Sequence, residues 1–480
     1  MEVINRKFDD DEFFREREEV LAEWPTGKEV DLDEAVQYQK SLIPNRNWVR
    51  KLEEAKEKGA TYPTSGMGHP SARQQAELLK YIQDNGPADL LAVSVDSVTR
   101  IHKFETVEHA LRENEKTGNA NLNGFAAVNV GVKGNRMVMD SIDVPVQCRF
   151  GTADPRLISE ILFAGGVSCS TGGLLNFFNY TGRVSLREVM HNLQYVWRLE
   201  GYYQEKGVPF CDTAYPMAVT LLPPSLFAAA QILQIMLMAE QGIEYFLLNA
   251  SVNGNLVQDV AAGRVISKLA REYLDTYGYS KAKTPFLETL FRGRMPADPA
   301  RAFAHISMGC LAAKLCGAQV VHTRNIAEGK AIPTKEELAD SYRCANAMIN
   351  LLSGQTIELN EKAVCTEVDM EEKEVRAIVK GVMDLSDGDV ATGIIRAVAS
   401  GVLDCSYAAH PAVASKVMGV RDSEGAIRWL DHGNLPFTKE IIEYNREKIA
   451  ERSRKQGKEV GYEEVINELM TIGTGHLSVD

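Results

Sequence analysis

Two arginines, Arg100 and Arg149, each follow a short apolar run: Leu90-Leu91-Ala92-Val93-Ser94-Val95 lies before the first and Val144-Pro145-Val146-Gln147-Cys148 before the second. A guanidinium is a planar fork of N–H donors that matches a carboxylate or phosphate in bidentate fashion, so two of them converging from separate segments would clamp a small anion. A structural salt bridge is the other reading of the same residues. Gly172-Gly173 follows Ser168-Cys169-Ser170-Thr171; it lets backbone approach a flat ligand closely, or it makes a plain tight turn. Asp212, His69 and His305 are the acid–base candidates, and each is also readable as hydrogen-bonded structure. The chain carries no H-E-x-x-H, Walker A or G-x-S-x-G motif. Its eight cysteines are scattered without a C-x-x-C pair. No metal site is therefore expected, and the cysteines read as reduced and buried.

These residues need elements that bring them together. Between about 60 and 330, short apolar runs alternate with helical patterns. Strand candidates are residues 90–95, 124–130, 144–148, 161–167, 208–211, 245–249 and 318–322, with a further one near 61–68. Helix-like segments include 74–84, 155–162, 185–199, 226–240, 257–277 and 300–315. Strands alternating with helices at this spacing point to parallel βαβ units. Eight units over about 270 residues match the length of a (β/α)8 TIM barrel, of class α/β. An open doubly wound sheet is the alternative; against it, no G-x-G-x-x-G follows the first strand. In a barrel the site lies at the C-terminal strand ends. The residues there are Gly66 to Pro70, Asp96 to Arg100, Asn121 and Asn123, Arg149 to Thr152, Ser168 to Gly173, Asp212 and Tyr215, Asn249 and Asn253, and His322 to Arg324 with Glu328. Residues 1–60 read as a helical arm, 61–332 as the barrel and 333–480 as a mainly helical appendage that begins with Pro333-Thr334-Lys335-Glu336-Glu337, a helix start.

Composition sets the outer bounds. The chain has 480 residues, 45% hydrophobic and 25% charged, which excludes disordered and fibrous classes. The net charge of −13 gives no sign of nucleic-acid binding. The acidic start has neither an apolar signal region nor an Arg-rich transit pattern, and the expected location is cytoplasmic. The longest apolar stretch, Leu226 to Ala239, is interrupted by Gln231 and Gln234. It falls short of the roughly 20 residues that span a bilayer and reads as a buried helix.

From about residue 30 to its end the chain resembles the epsilon subunit of glutamate mutase (methylaspartate mutase). The resemblance is carried by Asn123-Gly124-Phe125 with Ala127-Val128-Asn129, by Arg149-x-Gly151-Thr152-x-Asp154-x-Arg156-Leu157, by Thr220-Leu221-Leu222-Pro223-Pro224-Ser225 and by Ala331-Ile332-Pro333-Thr334-Lys335-Glu336. It implies a TIM barrel that works with adenosylcobalamin, shared with a separate small subunit bearing a D-x-H-x-x-G motif. That motif is absent from this chain. It further implies a homodimer of this chain, and radical chemistry begun by cobalt–carbon homolysis, which the cofactor supplies. Gly68, Asn123, Tyr180, Met295, Arg324, Glu328 and Ile332 are implied as cofactor-binding. Arg324 stands where the family has Lys. Arg100 and Arg149 match two of three arginines that clamp a dicarboxylate, and Arg100, Arg149, Thr171 and Asp212 are the residues expected to carry catalysis.

The sequence departs from the family at the substrate. Gly66 stands where the third arginine is expected, Thr171 where a Glu meets the substrate ammonium, Phe150 where a His follows Arg149, and Phe177 and Thr181 where two tyrosines bind substrate. Arg73, Asp212 or Tyr180 are candidate replacements. A site stripped of these groups is poorly matched to glutamate. The expected activity is a carbon-skeleton rearrangement of another small carboxylic acid, one that lacks the α-amino group in glutamate's position or is bulkier and less polar, with substrate contacts from Arg100, Arg149, Phe150, Thr171, Phe177 and Thr181. Glutamate mutase itself with compensating residues, and a regulatory barrel or cofactor-free lyase without radical chemistry, are the alternatives.

Overall fold

The computed structural model describes residues 3–43, 45–118, 121–175, 184–217, 220–283, 286–291 and 293–476. Strands β1 (Tyr62–Thr64), β2 (Gly66–Met67), β3 (Leu91–Ser94), β4 (Val146–Arg149), β5 (Cys169–Gly172), β6 (Cys211–Ala214), β7 (Tyr245–Val252), β8 (Phe286–Phe291) and β9 (Val320–His322) form one sheet. Its order is β1-β9-β8-β7-β6-β5-β4-β3-β2, and every pairing is parallel. The two end strands are consecutive in sequence, separated by Ser65 alone. They are halves of one strand, so the sheet closes into an eight-position barrel. The break is sealed from outside: the Ser65 N–H donates to the Tyr342 hydroxyl (2.9 Å), which donates to the Leu90 carbonyl (3.1 Å). A β10–β11 hairpin (Met418–Arg421 and Ile427–Asp431) follows the barrel in sequence.

Strand alternation sorts the side chains. Leu90, Cys169, Cys211, Leu247, Phe286 and Val320 form an apolar layer with Trp48, Val49 and Leu52 of helix Trp48–Lys58. Outward residues such as Val93, Cys148, Phe246 and Leu248 join the clusters shared with the helices. Helix Pro224–Glu240 is buried along almost its whole length, as its composition predicts. Its two glutamines serve strand ends. Gln231 bonds both the N–H (2.7 Å) and the carbonyl (2.8 Å) of Asn249, and Gln234 bonds the Gly172 carbonyl (2.9 Å) and the Leu174 N–H (3.2 Å). None of the described helices is long and apolar enough to cross a membrane.

Three strand expectations change. Residues 124–130 form one bridge, Phe125 with Val95, and then enter helix Ala127–Asp140. Residues 161–167 end helix Arg156–Ala164, and β5 starts only at Cys169. A short apolar run does not distinguish a strand from a buried helix, because both bury every side chain. Strand β8 was not expected, because Glu288 and Thr289 interrupt its apolar pattern. The helix expected at Pro333 starts at Lys335, with Thr334 as cap in a reciprocal box with Glu337.

Candidate active site

The polar layer of the barrel lies past the apolar one, toward the C-terminal strand ends. Arg149 ends β4 and points inward. Its Nε donates to Gln147 Oε1 (2.9 Å), an Nη1 hydrogen bond goes to the His322 ring (2.9 Å to Nδ1), and Nη2 lies 3.7 Å from Glu288 Oε1. β4 and β8 are the third and seventh of eight ring positions, so Arg149 and Glu288 face each other across the barrel. Asn249 Nδ2 donates to Glu288 Oε2 (3.0 Å), and Gln147 Nε2 donates to Thr213 Oγ1 (2.7 Å). Glu288 is only 3% exposed. The Thr171 hydroxyl, in register with Thr213, is buried with no hydrogen-bond partner among the described residues.

Gly66 explains how Arg149 takes this path. A Cβ there would stand 2.8 Å from Ser94 Oγ and 3.4 Å from Arg149 Cδ. The Arg149 side chain occupies the space over the glycine.

The loops above are knitted by Asp96, which is fully buried. Its carboxylate accepts the N–H groups of Val98 (2.7 Å), Thr99 (3.0 Å) and Asn123 (3.0 Å). This fixes the single helical turn Thr99–Ile101 that carries Arg100, whose carbonyl accepts the Thr152 hydroxyl (2.5 Å). Asn123 is exposed and accepts the Ser97 N–H (3.0 Å). Gly68 has no room for a side chain: a Cβ would lie 2.5 Å from the Ser94 carbonyl oxygen and 2.8 Å from Gly124 Cα. Burial pushes the Cys148 thiol well up, and the charges of Arg100 and Arg149 both oppose it.

On the rim after β9, Arg324 adopts φ 55°, a left-handed conformation uncommon for a side-chain-bearing residue. Its Nη2 donates to Glu328 Oε1 (2.8 Å), and Asn325 Nδ2 donates to Oε2 (3.1 Å). Arg324 Nε is buried without a partner among the described residues. Ile332, 66% exposed, follows on the same loop.

Other expected residues lie elsewhere. Asp212 faces away from the lumen, because its neighbours Cys211 and Thr213 face in. Its carboxylate takes the Trp197 indole N–H (2.6 Å) of helix Leu186–Glu205. Burial lifts it to about 7, and it lies beside buried Glu200, which burial and the Asp212 charge push well up. The structure therefore corrects its expected role in the lumen. Phe150 packs into the outer apolar cluster at 3% exposed. Met295, at 1% exposed, lies in the larger apolar cluster beneath the tail, where Gly475 backbone abuts Pro296. Both are apolar side chains buried in the clusters shared with the helices. His69 is half-buried on the loop after β2, and its ring is kept below the usual range by burial. His305 packs edge-on against Phe291. Phe177, Tyr180 and Thr181 lie outside the described residues. Among the described residues no group of acidic, Cys or His side chains is arranged to hold a metal ion.

Glu288 was missed altogether, and Asn249 and His322 were marked only as strand-end residues. The available signal was the acid inside Phe286–Phe291: a charge in the middle of a six-residue run between helices is costly in a core and marks either an error in the strand or a site.

Residues 42–479 match the family described as Methylaspartate mutase E chain (MutE). The chain is 38% identical to the glutamate mutase epsilon subunit of Desulfitobacterium hafniense, over 99% of both chains. It is 36% identical to that of Treponema denticola, over 98% of both, and 34% identical to that of Yersinia enterocolitica, over 99% of both. Among solved structures it is similar to tryptophan synthase subunit alpha from Legionella pneumophila, at 13% identity and a TM-score of 0.35, over 63% of this chain and 98% of that one.

Proposed function

Because the chain belongs to the methylaspartate mutase E chain family, we propose that it is the large subunit of an adenosylcobalamin-dependent mutase that rearranges the carbon skeleton of a small carboxylic acid other than glutamate. The observation that carries this reading is the lumen. Arg149 is present and aimed inward, while Gly66 and Thr171 stand where a third arginine and a Glu would complete a glutamate site.

The residues present fit the cofactor's adenosyl end. Arg324 and Glu328 put a donor and an acceptor side by side on the rim, with one guanidinium N–H unused, a pairing suited to vicinal hydroxyls. Gly68 and Asn123 line the neighbouring loop. When bound, the cofactor supplies the hydrogen-abstracting radical. The protein's work is positional. Arg149 and Arg100 hold the carboxylate by charge-assisted bonds. The apolar layer under the polar one closes the barrel floor against water. A small subunit with a D-x-H-x-x-G motif is the proposed partner, and two copies of this chain the proposed core of the assembly.

The test is reconstitution with the small subunit and adenosylcobalamin, with anaerobic incubation against a panel of small acids and proton NMR of the products. An isomer formed from one of them supports the reading. Methylaspartate from (S)-glutamate as the favoured reaction overturns the altered specificity. No isomer from any acid overturns the mutase assignment.

A further inference from the structure

Arg100 is carried by a turn of three residues, Thr99–Ile101, and His102 ends it. His102 has φ 56°, a left-handed backbone that a residue with a side chain adopts at a cost. Its ring reaches two neighbours. Nε2 hydrogen-bonds the Asp154 carbonyl (2.8 Å) in the loop after β4. Nδ1 lies 3.4 Å from Oε2 of Glu23, the residue that follows helix Asp10–Ala22. The ring stacks on Phe104 at a centroid distance of 5.1 Å, and Phe104 meets Trp24 at 5.5 Å. A second tie from the turn to the same loop is the Thr152 hydroxyl on the Arg100 carbonyl.

Both oxygens that face the ring only accept. A carbonyl and an ionised carboxylate have no proton to give, and a neutral imidazole has one N–H. Neutral His102 would turn a bare nitrogen lone pair toward one of them. The imidazolium, with two N–H groups, satisfies both. The acids acting on the ring are Glu23 and Asp154. The Asp154 carboxylate is itself engaged by Arg156, through Nε (2.8 Å) and Nη2 (2.6 Å). Arg100 and Lys103 flank the ring on its own segment. Burial disfavours the charged ring, but Glu23 and Asp154 outweigh burial and raise it above the usual histidine range.

We propose that His102 is a positioning residue for Arg100: as the imidazolium it bolts the Thr99–Ile101 turn to the loop after β4 and to Glu23, so the turn is fixed only while the ring is charged. The latch is complete at low pH and is lost as pH rises through the raised value. Anion binding at the strand ends weakens with it. The consequence for anions rests on the place of Arg100 in the mutase reading; the latch does not.

The experiment uses the full chain and two variants. His102→Asn suits the left-handed backbone but carries no charge. Glu23→Gln keeps the ring and removes one of the acids that hold its proton. Backbone hydrogen exchange of residues 97–103 is followed by mass spectrometry from about pH 6 to 8.5. Near the lower limit the wild type exchanges about tenfold or more slowly than His102→Asn, the size of one hydrogen bond to a charged group. Near the upper limit the two converge to within about twofold. Glu23→Gln moves the convergence to lower pH. A merely structural histidine would separate wild type from His102→Asn by the same factor at every pH, and Glu23→Gln would move nothing. Calorimetry with glutarate as a carboxylate probe should show affinity falling over the same pH window, and falling earlier in Glu23→Gln. If His102→Asn fails to fold, the offset between the wild-type and Glu23→Gln exchange profiles carries the test. The proposal is overturned if that offset is absent, if the exchange ratio ignores pH, or if glutarate binds with an affinity that ignores pH. Exchange that follows the proton in a chain that binds glutarate at no pH would sink the carboxylate clamp of the mutase reading and leave the latch standing.

Discussion

Arg149 is held by its own strand through Gln147 and by two strands across the barrel through His322 and Glu288. Arg149→Met removes the cation and leaves Glu288 facing an apolar side chain. Truncating one partner of a buried charge set costs about 2–5 kcal/mol, so kcat/KM for the isomerised acid should fall roughly 30-fold to several thousand-fold. Steady-state kinetics checks this, with a melting curve to confirm folding; turnover within threefold of wild type would refute the clamp. Gly66→Arg is the reciprocal case. It restores the side chain that the family resemblance leads one to expect, yet its Cβ would already sit 2.8 Å from Ser94 Oγ and against Arg149. The expected outcome is lower affinity for the native acid and no gain of glutamate isomerisation, measured side by side, because Arg149 is displaced while Glu288 stays. At this scale sequence reading placed Arg100, Arg149 and Gly66 at strand ends, since each belongs to or follows a recognisable run, and it reached Thr171 although the run before it is the end of a helix. It misplaced Asp212: a strand flips its side chains every residue, and an error of one position in register sends a lumen residue to the helix layer.

Elements deliver these residues through bonds that no periodicity displays. Gln231 and Gln234 break the longest apolar stretch of the chain, and that break is what separates the helix from a membrane span in the sequence. In the fold both are fully buried. Gln231 bonds the backbone of Asn249 on β7, past the last Leu247 pairing with β6. It therefore does the work of a missing strand partner and sets the residue that backs Glu288. Gln231→Leu removes both bonds to the Asn249 backbone, at about 1–3 kcal/mol each. Denaturant unfolding should show a loss of about 2–5 kcal/mol, and affinity for the substrate should fall with it; a change below about 0.5 kcal/mol would refute the clamp. The alternation of strands and helices made the barrel legible, along with six of its eight strand positions. The helix–strand confusion at 124–130 and 161–167 arose where both faces of an element are covered. β8 was hidden because its middle is a site, and site residues break the pattern that reveals a strand.

Across the whole molecule, the residues before and after the barrel share its cores. Phe13 and Val20 pack in the cluster around β3 and β4, and Val375, Ile378, Val382 and Ile394 pack in the cluster that holds Phe246 and Leu248 of β7. At the seam, Asp259 takes the N–H groups of Asn253 (2.7 Å) and Gly254 (3.2 Å) in the loop after β7. Arg421 of β10 donates to the Asn253 carbonyl (2.9 Å). Burial lifts the Asp259 carboxyl to about 7, against those two N–H groups and the Arg421 charge. The unfolded value is near 3.8, so between about 4 and 7 the folded chain holds a proton that the unfolded chain has lost. Its contribution is complete below the unfolded value and is lost as pH rises through about 7, with a slope of at most about 1.4 kcal/mol per pH unit. Asp259→Asn, which cannot ionise, should lack that slope. Guanidinium unfolding of both proteins from pH 5 to 8 should show wild-type stability falling toward pH 7 relative to the variant, with the gap constant above that. Parallel curves over the whole range would mean that the seam carboxyl is already ionised at pH 5. The sign matters for the site, because that loop follows the strand that carries Asn249: a seam that loosens as pH rises would loosen the C-terminal end of β7 first.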